Sequence, residues 1–283
     1  MSAGHALITG GSSGIGRALG RQLMSRGYDV SMIARRKALL EAAAAELRSC
    51  AKHSKQRVEI YQADVSDQTQ AEAATKEAID HLGNPDLVVT SAGTAVPGYF
   101  GDISASSFRN AMEVNYFGTL YVIRAALPSM LAHKKGRIVL ISSGAALMGI
   151  FGYASYGPSK FAVRGLAETL RSELRLSNVG VSVAYPPDTE TPMLEEENKT
   201  KPEETKRITG LVKAWTADAV AASILRGVDR RSFSITPGLT LTLMHRLPGI
   251  MIPLLSWYSD RLVDGVQRAC VTPPAMQAKT IGS

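Results

Sequence analysis

Two cysteines in 283 residues, Cys50 and Cys270, are too few and too far apart for a disulfide framework, which leads us to expect a reducing compartment. Aromatic residues are scarce at 6%, and no basic helix or set of stacking rings accompanies the net charge of +7, so a nucleic-acid partner is not expected. An anionic cofactor or an anionic membrane surface stays open as the reason for that charge. A charged stub followed by an apolar stretch is also missing: Met1 leads straight into His5-Ala6-Leu7-Ile8-Thr9, so a cytoplasmic rather than a secreted protein is expected. No metal site is expected. At 45% apolar and 20% charged, the chain can bury a substantial core, which excludes disorder.

What is present is a repeat of short apolar runs and longer helical patterns. Residues 5–9 read as a buried strand, followed by a glycine turn and by Ile15, Leu19, Leu23 and Met24 at helical spacing. Val30 to Ala34 gives a second strand, 37–51 a helix and Val58 to Tyr61 a third strand. Helices over about 67–82, 106–132 and 154–177 then lead to strands at 87–89, 137–141 and 181–184. Six such strands predict an α/β fold, a Rossmann-type doubly wound parallel sheet with helices on both faces. Its ligands would lie beyond the carboxyl ends of the strands. The expected division is a catalytic and cofactor-binding domain over 1–238, an apolar C-terminal extension over 239–268 and a flexible tail over 269–283.

The first turn reads Gly10-Gly11-Ser12-Ser13-Gly14-Ile15-Gly16. Glycines there allow a tight turn and let a pyrophosphate approach the helix N-terminus, whose free N–H groups favour anions. After the second strand stands Ala34-Arg35-Arg36, where an acid would bond a ribose 2′-hydroxyl. Arginine instead matches a 2′-phosphate, so NADPH is the expected cofactor, with Arg35 favoured over Arg36. The competing reading leaves both arginines solvated at a helix start. Asp64 and Val65 can reach the adenine, although Asp64 would serve equally as a turn residue. Ala92 and Gly93, after the fourth strand, can lie against the nucleotide.

Tyr156 and Lys160 stand four apart on a predicted helix and share a face. An adjacent ammonium favours the phenolate and tunes the phenol for proton transfer. Thirteen residues before Tyr156, Ser143 closes the fifth strand, where its hydroxyl can bond a carbonyl oxygen; neighbouring Ser142 would be structural. With Asn115 in the long fourth helix, these motifs resemble the short-chain dehydrogenases/reductases over about residues 5–237. The resemblance implies that Asn115 orders a water relayed to Lys160, that Lys160 also bonds the nicotinamide ribose, and that hydride leaves the nicotinamide as Tyr156 gives a proton. It implies cofactor contacts at Pro186, Thr189 and Thr191, and a homo-oligomer paired through helices 106–132 and 154–177. Two positions depart from the family pattern: Ser91 stands where asparagine is usual and Pro187 where glycine is usual.

The stretch from Tyr185 to Thr205, together with Thr236-Pro237-Gly238, resembles one branch, the 3-ketodihydrosphingosine reductases. The substrate implied is a long-chain lipid with an amine beside the ketone, which needs acids near the site and an apolar track. Asp188, Glu195 and Glu196 could face the amine, and Met148, Ile150, Phe151, Met193 and Leu194 flank the expected mouth. The acids could instead be a solvated helix start, and another lipophilic ketone, such as a 3-oxoacyl thioester or a steroid, remains an alternative substrate. A non-catalytic scaffold is disfavoured by the intact site.

Residues 239–258 contain no acid, yet His245, Arg246, Pro248, Gly249 and Pro253 interrupt them, so a membrane span is not expected. A pair of short helices dipping into one leaflet is expected instead, with Trp257 and Tyr258 at headgroup level and Arg226, Arg230, Arg231 and Arg261 favouring anionic lipid. Packing of this segment on the core or on a second subunit is the alternative.

Overall fold

A computed structural model describes residues 4–271 of the chain. Most of the expected tail, and the side chain of Cys270, lie outside the described residues. In chain order, β1 (His5–Thr9), α1 (Gly14–Ser25), β2 (Asp29–Ala34), α2 (Lys37–Ser49), β3 (Val58–Gln62), α3 (Gln68–Leu82) and β4 (Leu87–Thr90) make the first half. The second half comprises α4 (Ala105–Met112), α5 (Gly118–His133), β5 (Arg137–Ile141), α6 (Tyr156–Glu173) and β6 (Gly180–Ala184). Then follow β7 (Thr189–Glu190), α7 (Pro192–Thr200), α8 (Glu203–Thr209), β8 (Trp215–Thr216), α9 (Ala217–Asp229), β9 (Ser234–Ile235), α10 (Leu239–Arg246) and α11 (Pro248–Val271).

The main sheet is parallel throughout in the order β3-β2-β1-β4-β5-β6-β9, with β7 and β8 paired separately. Side chains alternate across each strand, so Leu7 enters one core while Ala6 and Ile8 enter the other. Leu19 and Leu23 of α1, Leu40 and Leu47 of α2 and Ile224 of α9 fill one face. Ala71 and Ala78 of α3, Val122 and Met130 of α5 and Val163 of α6 fill the other. Burial on both faces explains why the strands read as unbroken apolar runs. The strand order reverses between β1 and β4, which opens a crevice at their carboxyl ends.

Four expectations need amendment. The sheet has a seventh strand, β9, too short at two residues to carry a periodic signal. The helix expected over 106–132 is broken by a π-helical turn, Glu113–Phe117, with Asn115 at its middle. Such turns insert one residue into the helical repeat and re-aim the side chains they carry. The helix expected over 154–177 is the shorter Tyr156–Glu173. In the C-terminal extension, the second helix is long: α11 starts on Pro248, whose missing N–H costs nothing at a first helical position, and it runs through Pro253 to Val271.

The extension is also bound into the main fold. Leu241 and Met244 of α10 belong to the sheet's own core, and Met251 and Leu255 of α11 pack against it. The opposite side of α11 shows Ile250, Leu254, Trp257 and Tyr258 to the outside, a stripe at helical spacing. Among the described residues, no single helix is long and apolar enough to cross a membrane; α10 and α11 reach that hydropathy only together, bent by 118°.

Candidate active site

The glycine turn occupies the crevice. Gly10 and Gly14 adopt φ of +67° and +53°, conformations that favour glycine. A Cβ on Gly10 would lie 2.8 Å from the backbone nitrogen of Ala92, so the turn can nest against the segment after β4 only without a side chain. Thr9 anchors that segment by accepting from the N–H groups of Ser91 and Ala92 at 3.1 and 3.2 Å. On the side of residue 91 this contact uses only the backbone N–H, which is why serine there is compatible with it. The first turn of α1 has no side-chain cap from Ser13, so its N–H groups are available to an anion. Ser12 is buried beside it, and Ile15 lines the cleft.

Thr191 leans over the turn from the other side, its methyl 3.0 Å from where a Cβ on Gly14 would be. Its hydroxyl donates to the Thr189 carbonyl at 3.1 Å and caps α7 by accepting from the Leu194 N–H at 3.3 Å. Thr189, also buried, donates to the Pro187 carbonyl at 2.8 Å. The Pro186 carbonyl accepts from the Gly144 N–H at 2.9 Å, which fixes the wall opposite the glycines although Pro187 stands where a glycine is usual.

Arg35 and Arg36 are both exposed after β2, with Arg36 at the N-cap of α2. The Arg35 guanidinium lies 3.7 Å from the Asp64 carboxylate, so this pair marks the outer end of the crevice. Asp64 also accepts from the backbone and hydroxyl of Ser66. Partial burial would raise its pKa, yet the Ser66 bonds and Arg35 outweigh this and hold it below the usual carboxylate value. It is therefore both a turn residue and a neighbour of Arg35. Val65 is buried against Gly118, at the head of α5.

At the inner end, Asn115, Ser143, Tyr156 and Lys160 come together. Asn115 is fully buried; its amide donates to the Thr94 carbonyl at 3.0 Å and to Ser159 Oγ at 2.8 Å, and its oxygen accepts from the Thr94 N–H at 2.8 Å. It thereby clamps the segment after β4 to α6. Gly93 lies between Asn115 and Lys160: a Cβ there would be 3.2 Å from Asn115 Oδ1 and 3.5 Å from Lys160 Nζ. Lys160, buried, donates to the Ile141 carbonyl at 3.1 Å, and burial lowers its pKa to about 8. Ser142 is indeed structural, its hydroxyl donating to the Lys160 carbonyl at 2.8 Å.

Tyr156 opens α6 and is 9% exposed. The expected depression of its pKa by Lys160 is not what the protein alone does. Desolvation drives the phenol well above its ordinary value, and a hydrogen bond with Ser143 only partly opposes this. The phenol is therefore protonated near neutral pH, which suits it to give a proton rather than take one.

A cleft of about 360 Å³, within the usual range for small-molecule sites, joins the glycine turn to Ser143, Tyr156 and Lys160, with Asn115 buried behind it. Met148, Ile150, Met193 and Leu194 line it as expected, and so does Asp188. Three expected residues do not. Phe151 packs edge-on against Tyr99, with ring centroids 5.9 Å apart. Glu195 and Glu196 point to the outside of α7, Glu196 paired with Lys199. The acid of that run that lines the cleft is Glu197, buried and one helical turn beyond Met193 and Leu194. Helical phase groups it with Met193 and Leu194, but the packing of α7 sets which face meets the cleft. Also unanticipated are Tyr153, and the apolar wall built by Leu211 and Val212 with Leu241, Met244 and Leu255 of the C-terminal helices. Only the chain's return over the site brings those positions there.

The comparisons with known proteins agree with this architecture. A 3-dehydrosphinganine reductase from Danio rerio is 38% identical over 269 residues, spanning 95% of this chain and 80% of that protein. A 3-ketodihydrosphingosine reductase from Mus musculus is also 38% identical, over 93% of this chain and 78% of its own length. Among solved structures, a short chain dehydrogenase/reductase from Burkholderia phymatum in complex with NAD superposes with a TM-score of 0.78 at 25% identity, covering 89% of this chain and 95% of that one. An actinorhodin polyketide ketoreductase variant with NADPH gives 0.75 at 26% identity, over 83% and 97%. Residues 4–202 match the short chain dehydrogenase family, and with this fold and site the chain belongs to it.

Proposed function

We infer that the protein reduces the 3-keto group of 3-ketodihydrosphingosine to dihydrosphingosine with NADPH. The observation that carries this reading is the pairing of a Tyr156–Lys160–Ser143 site with relatives of that activity aligned over nearly the whole chain. Bound in the crevice, NADPH supplies the hydride. Ser143 holds the ketone oxygen, and Tyr156 gives it a proton, a step worth about 10²–10⁴-fold in rate. Lys160 positions the cofactor's ribose and keeps the phenol supplied, while Asn115 fixes the segment that shapes this end of the site. The first turn of α1 takes the pyrophosphate and Arg35 the 2′-phosphate.

The substrate's alkyl chain follows the apolar wall of Leu211, Val212, Leu241, Met244 and Leu255. The exposed stripe of α11, with the Arg261 guanidinium 4.3 Å over the Trp257 ring, supports peripheral docking of the same helix on an anionic membrane at its cytosolic face. A lipid substrate would then reach the cleft without crossing water. The family's habit of pairing through α4–α5 and α6 supports a homo-oligomer.

NADPH oxidation by the purified protein decides the reaction. Turnover is expected with 3-ketodihydrosphingosine and should exceed that with a 3-oxoacyl thioester. The reverse order would reassign the substrate, and no oxidation with either would leave a binding protein.

A further inference from the structure

We propose that Glu197 is the group that recognises the substrate's ammonium, held in place by Tyr153 and Lys201. The assignment rests on the keto-amine reading above and deepens it.

Glu197 is 7% exposed, in the wall of the cleft, on the same face of α7 as Leu194. The Tyr153 hydroxyl donates to its Oε2 at 2.5 Å, and the Lys201 ammonium lies 3.9 Å from the same oxygen. Both contacts fall on Oε2, whereas Oε1 takes no hydrogen bond from the described residues. The Lys201 side chain is 1% exposed and makes its closer contact with Asp188, at 3.1 Å. Two carboxylates that line the cleft thus share one ammonium. The remaining cation nearby, Lys160, is bonded to the Ile141 carbonyl. A buried carboxylate left with the longer half of a shared ion pair gains from a cationic ligand and carries a desolvation cost without it.

The position fits as well as the charge. The rings of Tyr153 and Tyr156 are 5.4 Å apart, so the Tyr153 hydroxyl carries Glu197 to within one residue of the proton donor. In the substrate, the ammonium sits on the carbon next to the carbonyl that receives that proton. A carboxylate at this separation can hold the amine while the ketone oxygen faces Tyr156 and Ser143. Burial raises the pKa of Glu197, with Tyr153 and Lys201 opposing and Asp188 adding to the rise, and an arriving ammonium would favour its ionised form. Glu195 and Glu196, on the outside of the helix, cannot serve in this way.

The test compares 3-ketodihydrosphingosine with the same hydroxyketone lacking the amine, using NADPH-loaded enzyme. The parent protein is expected to favour the amine by about tenfold or more in kcat/KM, chiefly through KM. Glu197→Gln should lower kcat/KM for the keto-amine by about tenfold more than for the neutral ketone; Glu197→Asp, which keeps the charge, should restore part of that difference. An equal loss on both ketones, or an undiminished amine preference, would overturn the assignment. A measurement on the parent alone guards against a variant that fails to fold: dihydrosphingosine should inhibit about tenfold or more strongly than the corresponding diol without nitrogen. Equal inhibition overturns the proposal whatever the variants do. A parent that never turns over the keto-amine rejects the function itself, whereas turnover without amine discrimination rejects only the role of Glu197.

Discussion

The ammonium of Lys160 donates to the carbonyl of Ile141 at 3.1 Å, tying the start of α6 to the carboxyl end of β5. The bond holds a charge in a place water scarcely reaches, since Lys160 is 4% exposed. Burial accordingly holds its pKa at about 8, below the ordinary 10.5.

Stability of the cofactor-free protein should depend on that residue in a pH-dependent way. Between pH 8 and 10.5 the unfolded chain keeps a proton on Lys160 that the folded chain has lost, so folding gains as pH rises through this window. The penalty is present in full below pH 8 and disappears near 10.5. Lys160→Met removes it, so the variant is expected to be the more stable form at neutral pH. The gain is up to about 3 kcal/mol, less about 1 kcal/mol for the lost Ile141 bond. Urea unfolding across the window should show the gap closing as pH rises; a constant gap would assign the penalty elsewhere. Cofactor affinity and turnover should both fall in the same variant.

Tyr156→Phe keeps the ring and deletes the proton. Turnover should drop by about 10²–10⁴-fold or more while NADPH still binds, because the hydroxyl left at the ketone oxygen, that of Ser143, is a much weaker acid than a phenol. Stopped-flow NADPH oxidation and fluorescence titration of the cofactor separate the two effects. Substantial residual activity would make another group the donor.

Ala34→Asp combined with Arg35→Ala should shift preference from NADPH towards NADH by about tenfold or more, since it adds repulsion against a 2′-phosphate and removes its partner. Removing Arg35 also leaves Asp64, 3.7 Å away, without its counter-ion, which works in the same direction. An unchanged ratio of kcat/KM for the two cofactors would place the reader of the phosphate elsewhere, with Arg36 the first to examine.

Flotation with anionic vesicles tests the exposed stripe on α11. The intact protein should rise with the vesicles, and Ile250→Glu with Leu254→Glu should not, although both positions are 57% exposed or more and the fold should tolerate the change. Neutral vesicles should bind less, as basic residues near the stripe contribute. A protein that stays in the soluble fraction in every case assigns the stripe to another protein surface.

The parallel sheet was readable because its strands are buried on both faces and its helices are long. Val30 to Ala34 and Arg137 to Ile141 show this in composition alone. β9 was not, because two residues hold no period. Tyr156 and Lys160 were readable because one helical turn separates them, and local spacing is all that relation needs. Asn115 was found as a residue, but its place in a π turn was hidden, since an inserted helical residue leaves no mark in composition.

By itself the sequence determined the alternation of strands and helices, the glycine turn at the head of the first helix and the Tyr156–Lys160 pair, all of which depend on neighbours within a turn or two. The tertiary structure alone decided which acid of Glu195-Glu196-Glu197 enters the cleft, because that choice depends on Tyr153 and Lys201 meeting the third carboxylate in a dry wall. It alone decided that the C-terminal helices close over the site, Leu241 and Met244 inward and Trp257 outward. The physical reason is the same in both cases. Burial depends on what the rest of the chain brings to a residue, and in these two places deciding partners, Tyr153 for Glu197 and the sheet's core for Leu241 and Met244, are distant in sequence.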